Sequence, residues 1–114
     1  MELVTLEGKL YQTGFKVVHE DMTSLGLRKN PNIMTFPFNE WVVLPETDLV
    51  EGRADWGGIW LARNRSGARK YINYMMSHYQ KRTRVFHTAI DRILFMNPGR
   101  IKTNAVYLLE EIEL

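Results

Sequence analysis

The sequence predicts one α+β domain in which short strands outnumber helices. Most apolar residues fall in short β-rich segments that Gly, Pro and Asn separate. Only one long segment, from Ser66 to Tyr79, carries apolar residues at helical spacing. The chain has 114 residues, close to the commonest size of a domain. We therefore expect residues 1–114 to form a single domain with one main helix.

The first half of the chain alternates strand-like segments with turn signals. Glycine and proline mark its interruptions, and Gly26 is suited to end a short helix. In chain order we predict a strand over Lys9–His19 interrupted at Gly14, a short helix over Asp21–Leu27, a loop or sheet edge over Asn30–Asn39, a strand over 41–44 and a surface loop over Glu46–Trp56.

The second half begins with the helix, for which Ser66 is a natural N-cap. Its apolar stripe is formed by Ala68, Tyr71, Ile72, Met75 and Tyr79. A β-rich run follows over Thr83–Phe95, then a turn at 97–99 and a closing strand over Ala105–Ile112.

Charge divides the chain into an acidic and a basic half. Residues 1–62 hold nine acids and five bases, whereas residues 63–102 hold ten bases and one acid. A basic surface interleaved with aromatic residues suits nucleic acids or acidic protein surfaces as partners, although a solvated helix face gives the same pattern. The absence of a signal-peptide pattern and of a membrane-spanning apolar run predicts a cytoplasmic location without membrane contact.

A glycine pair is the most informative local feature. Gly57 and Gly58 precede an apolar strand that contains Trp60, and Ser66 then opens the helix that carries Tyr71. Glycine lets a backbone approach a ligand closely, and a helix start offers N–H groups to phosphate. These features predict a nucleotide site.

Other catalytic patterns are missing from the sequence. It has no cysteine, no phosphate-binding P-loop, no G-x-S-x-G and no H-E-x-x-H motif. His78 and His87 have no partner at metal-ligand spacing, so no metal site is predicted.

Three segments together resemble the ADP-ribosyltransferase fold, in particular the catalytic domain of poly-ADP-ribose polymerases. They are Val18-His19 followed by Gly26-Leu27-Arg28-Lys29-Asn30-Pro31, then Gly58-Ile59-Trp60-Leu61-Ala62 with Ser66 and Tyr71, and finally Val106-Tyr107-Leu108-Leu109. The resemblance implies two small antiparallel sheets that form a cleft, with one main helix and NAD as the cofactor.

The resemblance also implies roles for individual residues. His19 would bind the adenosine-side ribose and Trp60 would replace the active-site tyrosine of the family. Tyr71 would stack on nicotinamide, while Gly57, Gly58 and Ser66 would complete the cofactor site. The catalytic glutamate of the family has no counterpart near Gly99 or Arg100, so we expect weak, altered or lost transferase chemistry.

Three interpretations of the function follow from these features. The first is an ADP-ribosyltransferase-like protein that binds NAD or a related nucleotide. The second is a nucleic-acid-binding or RNA 2′-phosphate-handling module in which Arg63, Arg65, Arg69 and Arg100 contact phosphate. The third is a small interaction protein of the phage or plasmid type, without catalysis.

Overall fold

Strands dominate the chain, as the β-rich segments predict. We describe a computed structural model in which residues 2–27, 30 and 33–114 are placed. This described part forms eight strands and one α-helix: β1 (Leu3–Leu6), β2 (Lys9–His19), β3 (Trp41–Val43), β4 (Ile59–Ala62), α1 (Arg65–Tyr79), β5 (Thr83–Ile90), β6 (Ile93–Met96), β7 (Arg100–Thr103) and β8 (Ala105–Ile112).

The eight strands form one antiparallel sheet. Its order is β3-β8-β5-β2-β4-β7-β6, and β1 pairs with the beginning of β2. The prediction of two small sheets that form a cleft, as in the ADP-ribosyltransferase fold, is therefore wrong. The reason is that β4 pairs with β2 as well as with β7, so the strands on both sides of β4 belong to one sheet.

The junction between β2 and β4 consists of a single residue pair, Phe15 with Ala62. Gly14 makes this approach possible. A Cβ atom at Gly14 would lie 2.7 Å from Leu61 Cδ1 and 2.9 Å from the carbonyl oxygen of Ala62. The sequence predicts an interruption at Gly14, but β2 runs through this residue without a break. The absence of a side chain at Gly14 leaves room for β4 to approach and does not bend the strand.

The two faces of the sheet carry separate apolar clusters. Val17 and Val18 point to opposite faces because side chains alternate along a strand. One cluster contains Val17, Ala62, Ala68 and Val85, with Tyr71 and Ile72 of α1 packed against it. The other contains Val18, Phe36, Ile59, Leu61, Phe86, Ile90, Ile101, Val106 and Leu108. The helix thus covers one face, as its apolar stripe predicts for Ala68, Tyr71 and Ile72. Tyr79 of the predicted stripe is exposed instead, because it lies in the last turn of the helix, beyond the part that packs on the sheet.

Several local predictions need correction. Residues 21–26 form a turn and an isolated bridge instead of a helix, because the Asp21 carboxylate accepts hydrogen bonds from the N–H and hydroxyl of Thr23 while Thr23 pairs with Thr35. The run over Thr83–Phe95 is divided into β5 and β6. The strand over Lys9–His19 and the closing strand over Ala105–Ile112 are confirmed.

Part of the first resemblance segment, namely Arg28, Lys29 and Pro31, lies outside the described residues. Within the described residues, the structure contains no helix of the length and apolar character needed to cross a membrane.

Candidate functional site

A cleft of about 970 Å³ opens where β2 and β4 part. The pairing of the two strands stops at Phe15 and Ala62, and the next residues on both strands line the cleft. Its described lining comprises Lys16, Val17, Leu25, Leu27, Asn30, Ala54, Asp55, Trp56, Trp60, Leu61, Asn64, Ser66, Gly67, Lys70, Tyr71, Tyr74, Asn97, Pro98, Gly99 and Arg100. Three of these side chains are cationic and one is a carboxylate, so the lining favours an anionic ligand.

Lys16 forms part of the cleft wall at the end of the β2–β4 pairing. Its side chain is 7 % exposed, and Nζ donates a hydrogen bond to the carbonyl oxygen of Trp60 at 2.6 Å. A side chain therefore connects the two strands where the backbone ladder ends. Burial lowers the pKa of Lys16 to about 8. Lys16 was not predicted as a site residue, although a lysine between Phe15 and Val17 in an apolar strand is unusual and indicates a special role.

Trp60 and Arg100 form a second part of the cleft wall. The indole Nε1 of Trp60 donates to the carbonyl oxygen of Asp55 at 3.1 Å, which fixes the orientation of the ring. The guanidinium carbon of Arg100 lies 4.6 Å from the centroid of the Trp60 ring, within cation–π distance. The tryptophan therefore positions the guanidinium at the cleft.

Helix α1 supplies the third wall through Ser66, Tyr71 and Tyr74. Tyr71 is half-buried, because it packs against the core cluster below the helix and also lines the cleft. Ser66 is exposed and is not the N-cap. Asn64 caps the helix instead, since its Oδ1 accepts a hydrogen bond from the N–H of Gly67 at 2.8 Å.

Asp55 is the carboxylate of the described lining. It lies in the exposed loop before β4, and its Oδ1 accepts the N–H of Trp56 at 2.7 Å. This position differs from the region near Gly99 where the family resemblance places an acid. Asp55 was not predicted as a site residue, because residues 46–56 were interpreted as a surface loop.

Gly57 and Gly58 lie beside a neighbouring pocket of about 580 Å³ and do not line the cleft. Gly57 has a φ of +95°, and a Cβ atom there would meet Val50. A Cβ atom at Gly58 would overlap the side chain of buried Lys102. Burial lowers the pKa of Lys102, whose Nζ lies 3.4 Å from the carbonyl oxygens of Asp55 and Trp56. Close packing within the protein thus accounts for both glycines.

The remaining predicted residues lie outside the cleft lining. His19 is half-buried at the end of β2, where its backbone N–H donates a hydrogen bond to the carbonyl oxygen of Thr23. Arg63 donates to the carbonyl oxygen of Asn97, and the Arg65 guanidinium lies 5.2 Å from the Phe15 ring. Arg69 is exposed. The structure therefore brings together Trp60, Ser66, Tyr71 and Arg100 of the predicted set.

Within the described residues, no three His, Asp or Glu side chains cluster in a way that would hold a metal ion. No family model, curated protein sequence or solved structure matches this chain. The geometry of the cleft therefore carries the functional argument.

Proposed function

We propose that this protein binds a nucleotide in the cleft, with NAD or a related dinucleotide as the ligand class. One observation supports the proposal above the others, namely that aromatic and cationic side chains line the same cleft. They are Tyr71, Tyr74, the buried Lys16 and Arg100, whose guanidinium lies over the Trp60 ring. A volume of about 970 Å³ is at the upper end of the range for small-molecule sites, so a dinucleotide fits the size.

The lining matches the chemistry of a nucleotide. Aromatic side chains provide faces on which a base or nicotinamide stacks, and Tyr71 and Tyr74 lie on the same wall. The Arg100 guanidinium suits phosphate, which it contacts bidentately. Lys16 and Lys70 add positive charge to the same lining. A ligand that combines an aromatic ring with phosphate uses both sets of groups.

We further propose that transferase chemistry on NAD is weak or lost. A positive charge develops on the ribose as nicotinamide leaves, and a carboxylate close to that ribose stabilises it. Arg100 has the opposite sign, and Asp55 uses one carboxylate oxygen to accept the N–H of Trp56. His19 lies outside the cleft lining. Binding without efficient nicotinamide release is the function that these groups favour.

Isothermal titration calorimetry with NAD, ADP and adenosine tests the proposal. Arg100→Gln should weaken ADP binding about tenfold or more and leave adenosine nearly unchanged, because the lost contact is to phosphate. Tyr71→Leu keeps the apolar packing under the helix but removes the ring, so it should weaken all three ligands. Arg69→Gln, an exposed arginine of the same helix outside the cleft lining, is the matched control and should bind as the wild type.

Two outcomes would contradict the proposal. Failure of folded wild-type protein to bind NAD or ADP at millimolar concentration would refute nucleotide binding and leave the nucleic-acid-binding and interaction-protein interpretations. Rapid release of nicotinamide from NAD, measured by chromatography and abolished by Trp60→Ala and His19→Ala, would refute the loss of chemistry.

A further inference from the structure

Helix α1 carries a stripe of polar and aromatic residues that continues beyond the cleft. Ser66, Lys70, Tyr74 and His78 follow at four-residue spacing, which places them on one side of the helix. The first three line the cleft. The stripe rises about 18 Å along the helix axis, at 1.5 Å per residue.

The aromatic part of this stripe forms a continuous exposed surface. The rings of Tyr74 and His78 are stacked with their centroids 4.0 Å apart, and the Tyr79 ring lies edge-on to Tyr74 at 6.1 Å. Tyr74 is 40 % exposed and Tyr79 is 53 % exposed. Tyr74 thus belongs both to the cleft lining and to an aromatic path toward the C-terminal end of α1.

The segment of the chain that carries this path has charged side chains of one sign. Residues 56–90 contain seven Lys or Arg residues and no Asp or Glu. Arg84 is paired with Glu111 at 2.8 Å, whereas Lys70, Lys81 and Arg82 are exposed and form no ion pair within the described residues. Cations without carboxylate partners beside exposed rings suit a polyanion that carries flat rings.

We propose that this surface, the stripe with Tyr79, Lys81 and Arg82, binds single-stranded nucleic acid whose terminal nucleotide occupies the cleft. The inference rests on the proposed nucleotide binding and extends it to a macromolecular partner. Unpaired bases present faces that stack on Tyr74 and Tyr79, while the bases of a duplex are already stacked on one another. An acidic peptide would use the cations and leave the ring faces without a partner.

Fluorescence anisotropy with a 12-nucleotide single strand, as DNA and as RNA, tests the inference. Tyr79→Ala should weaken strand binding about tenfold, because one stacked base loses its platform. Arg82→Glu should weaken it at least fivefold and make the dependence of affinity on salt less steep. Lys9→Glu makes the same charge change at an exposed site on β2 and should leave affinity within twofold of the wild type.

Strand binding on the surface of α1 and nucleotide binding in the cleft are tested by different outcomes. All three variants should bind ADP as the wild type does, and ADP should compete with the end of the strand. Equal losses in Arg82→Glu and Lys9→Glu would refute a specific surface, and polyglutamate binding as tight as the strand would assign the surface to acidic proteins. ADP binding without strand binding would refute this inference alone, whereas strand binding without ADP competition would refute the placement of the strand's terminal nucleotide in the cleft.

Discussion

At the scale of single residues, Lys16 makes an unusual contribution to the energetics of the protein. Its ammonium group is removed from water, and its described acceptor is a carbonyl oxygen rather than a carboxylate. Burial lowers its pKa from 10.5 to about 8. Between these two values the unfolded chain holds a proton that the folded chain has released, so the contribution of Lys16 to stability increases as pH rises.

Lys16→Met therefore gives a pH-dependent change in stability. Moving from pH 7.5 to 9.5 should shift the difference in free energy of unfolding between wild type and variant by about 2 kcal/mol in favour of the wild type. Urea unfolding followed by circular dichroism at both pH values measures this shift. Lys9→Met changes an exposed lysine and should show no comparable shift. A difference for Lys16→Met that stays constant with pH would contradict the lowered pKa.

At the scale of elements, α1 illustrates what periodicity predicts and what it leaves open. The spacing of apolar residues correctly predicts the helix and places Ala68, Tyr71 and Ile72 on the face that packs on the sheet, because both depend on neighbours along the chain. The same spacing places Tyr79 on that face, where the structure leaves it exposed. The N-cap is misplaced by two residues, since Ser66 and Asn64 are both good capping residues and only the backbone geometry selects between them.

The cap assignment gives a direct test in two variants. Asn64→Ala should lower the free energy of unfolding by about 1 kcal/mol, because the N–H of Gly67 loses its acceptor. Ser66→Ala should change stability by less than about 0.5 kcal/mol, since Ser66 is exposed and lies inside the helix. Thermal and urea unfolding of both variants measure the contrast, and a larger loss in Ser66→Ala would show that the cap is misassigned.

At the scale of the whole molecule, the β2–β4 junction determines both the sheet and the cleft. Gly14→Ala should destabilise the protein by about 1–3 kcal/mol, because the added methyl group meets Leu61 and the backbone of Ala62. Gly99→Ala adds a methyl group whose nearest neighbour, Asn97 Oδ1, is 4.0 Å away, so it should be nearly neutral. Equal stabilities of the two variants in urea unfolding would contradict the close approach.

The junction between β2 and β4 is a feature that the sequence did not predict. Segment types were largely predictable from local pattern, but the order of strands depends on pairings between residues far apart in the chain. Trp60 was singled out by the apolar strand that follows the glycine pair and by the family resemblance, and Arg100 by that resemblance and by the affinity of guanidinium for phosphate. Lys16 and Asp55 were not predicted as site residues. A lysine in an apolar strand marks Lys16 as unusual, but the place of both residues in the cleft lining depends on how β2, β4 and the preceding loop meet.

The single pair Phe15–Ala62 has a mechanical consequence for the molecule. In the backbone ladder of the sheet, β4, β7 and β6 join the other strands through the single pair Phe15–Ala62, and the Lys16 side chain adds one hydrogen bond. The cleft opens at this junction. Both apolar clusters extend across this junction, since Val18 and Leu61 belong to one cluster and Val17 and Ala62 to the other. Side-chain packing on the two faces, more than the backbone ladder, therefore holds the two parts of the sheet together.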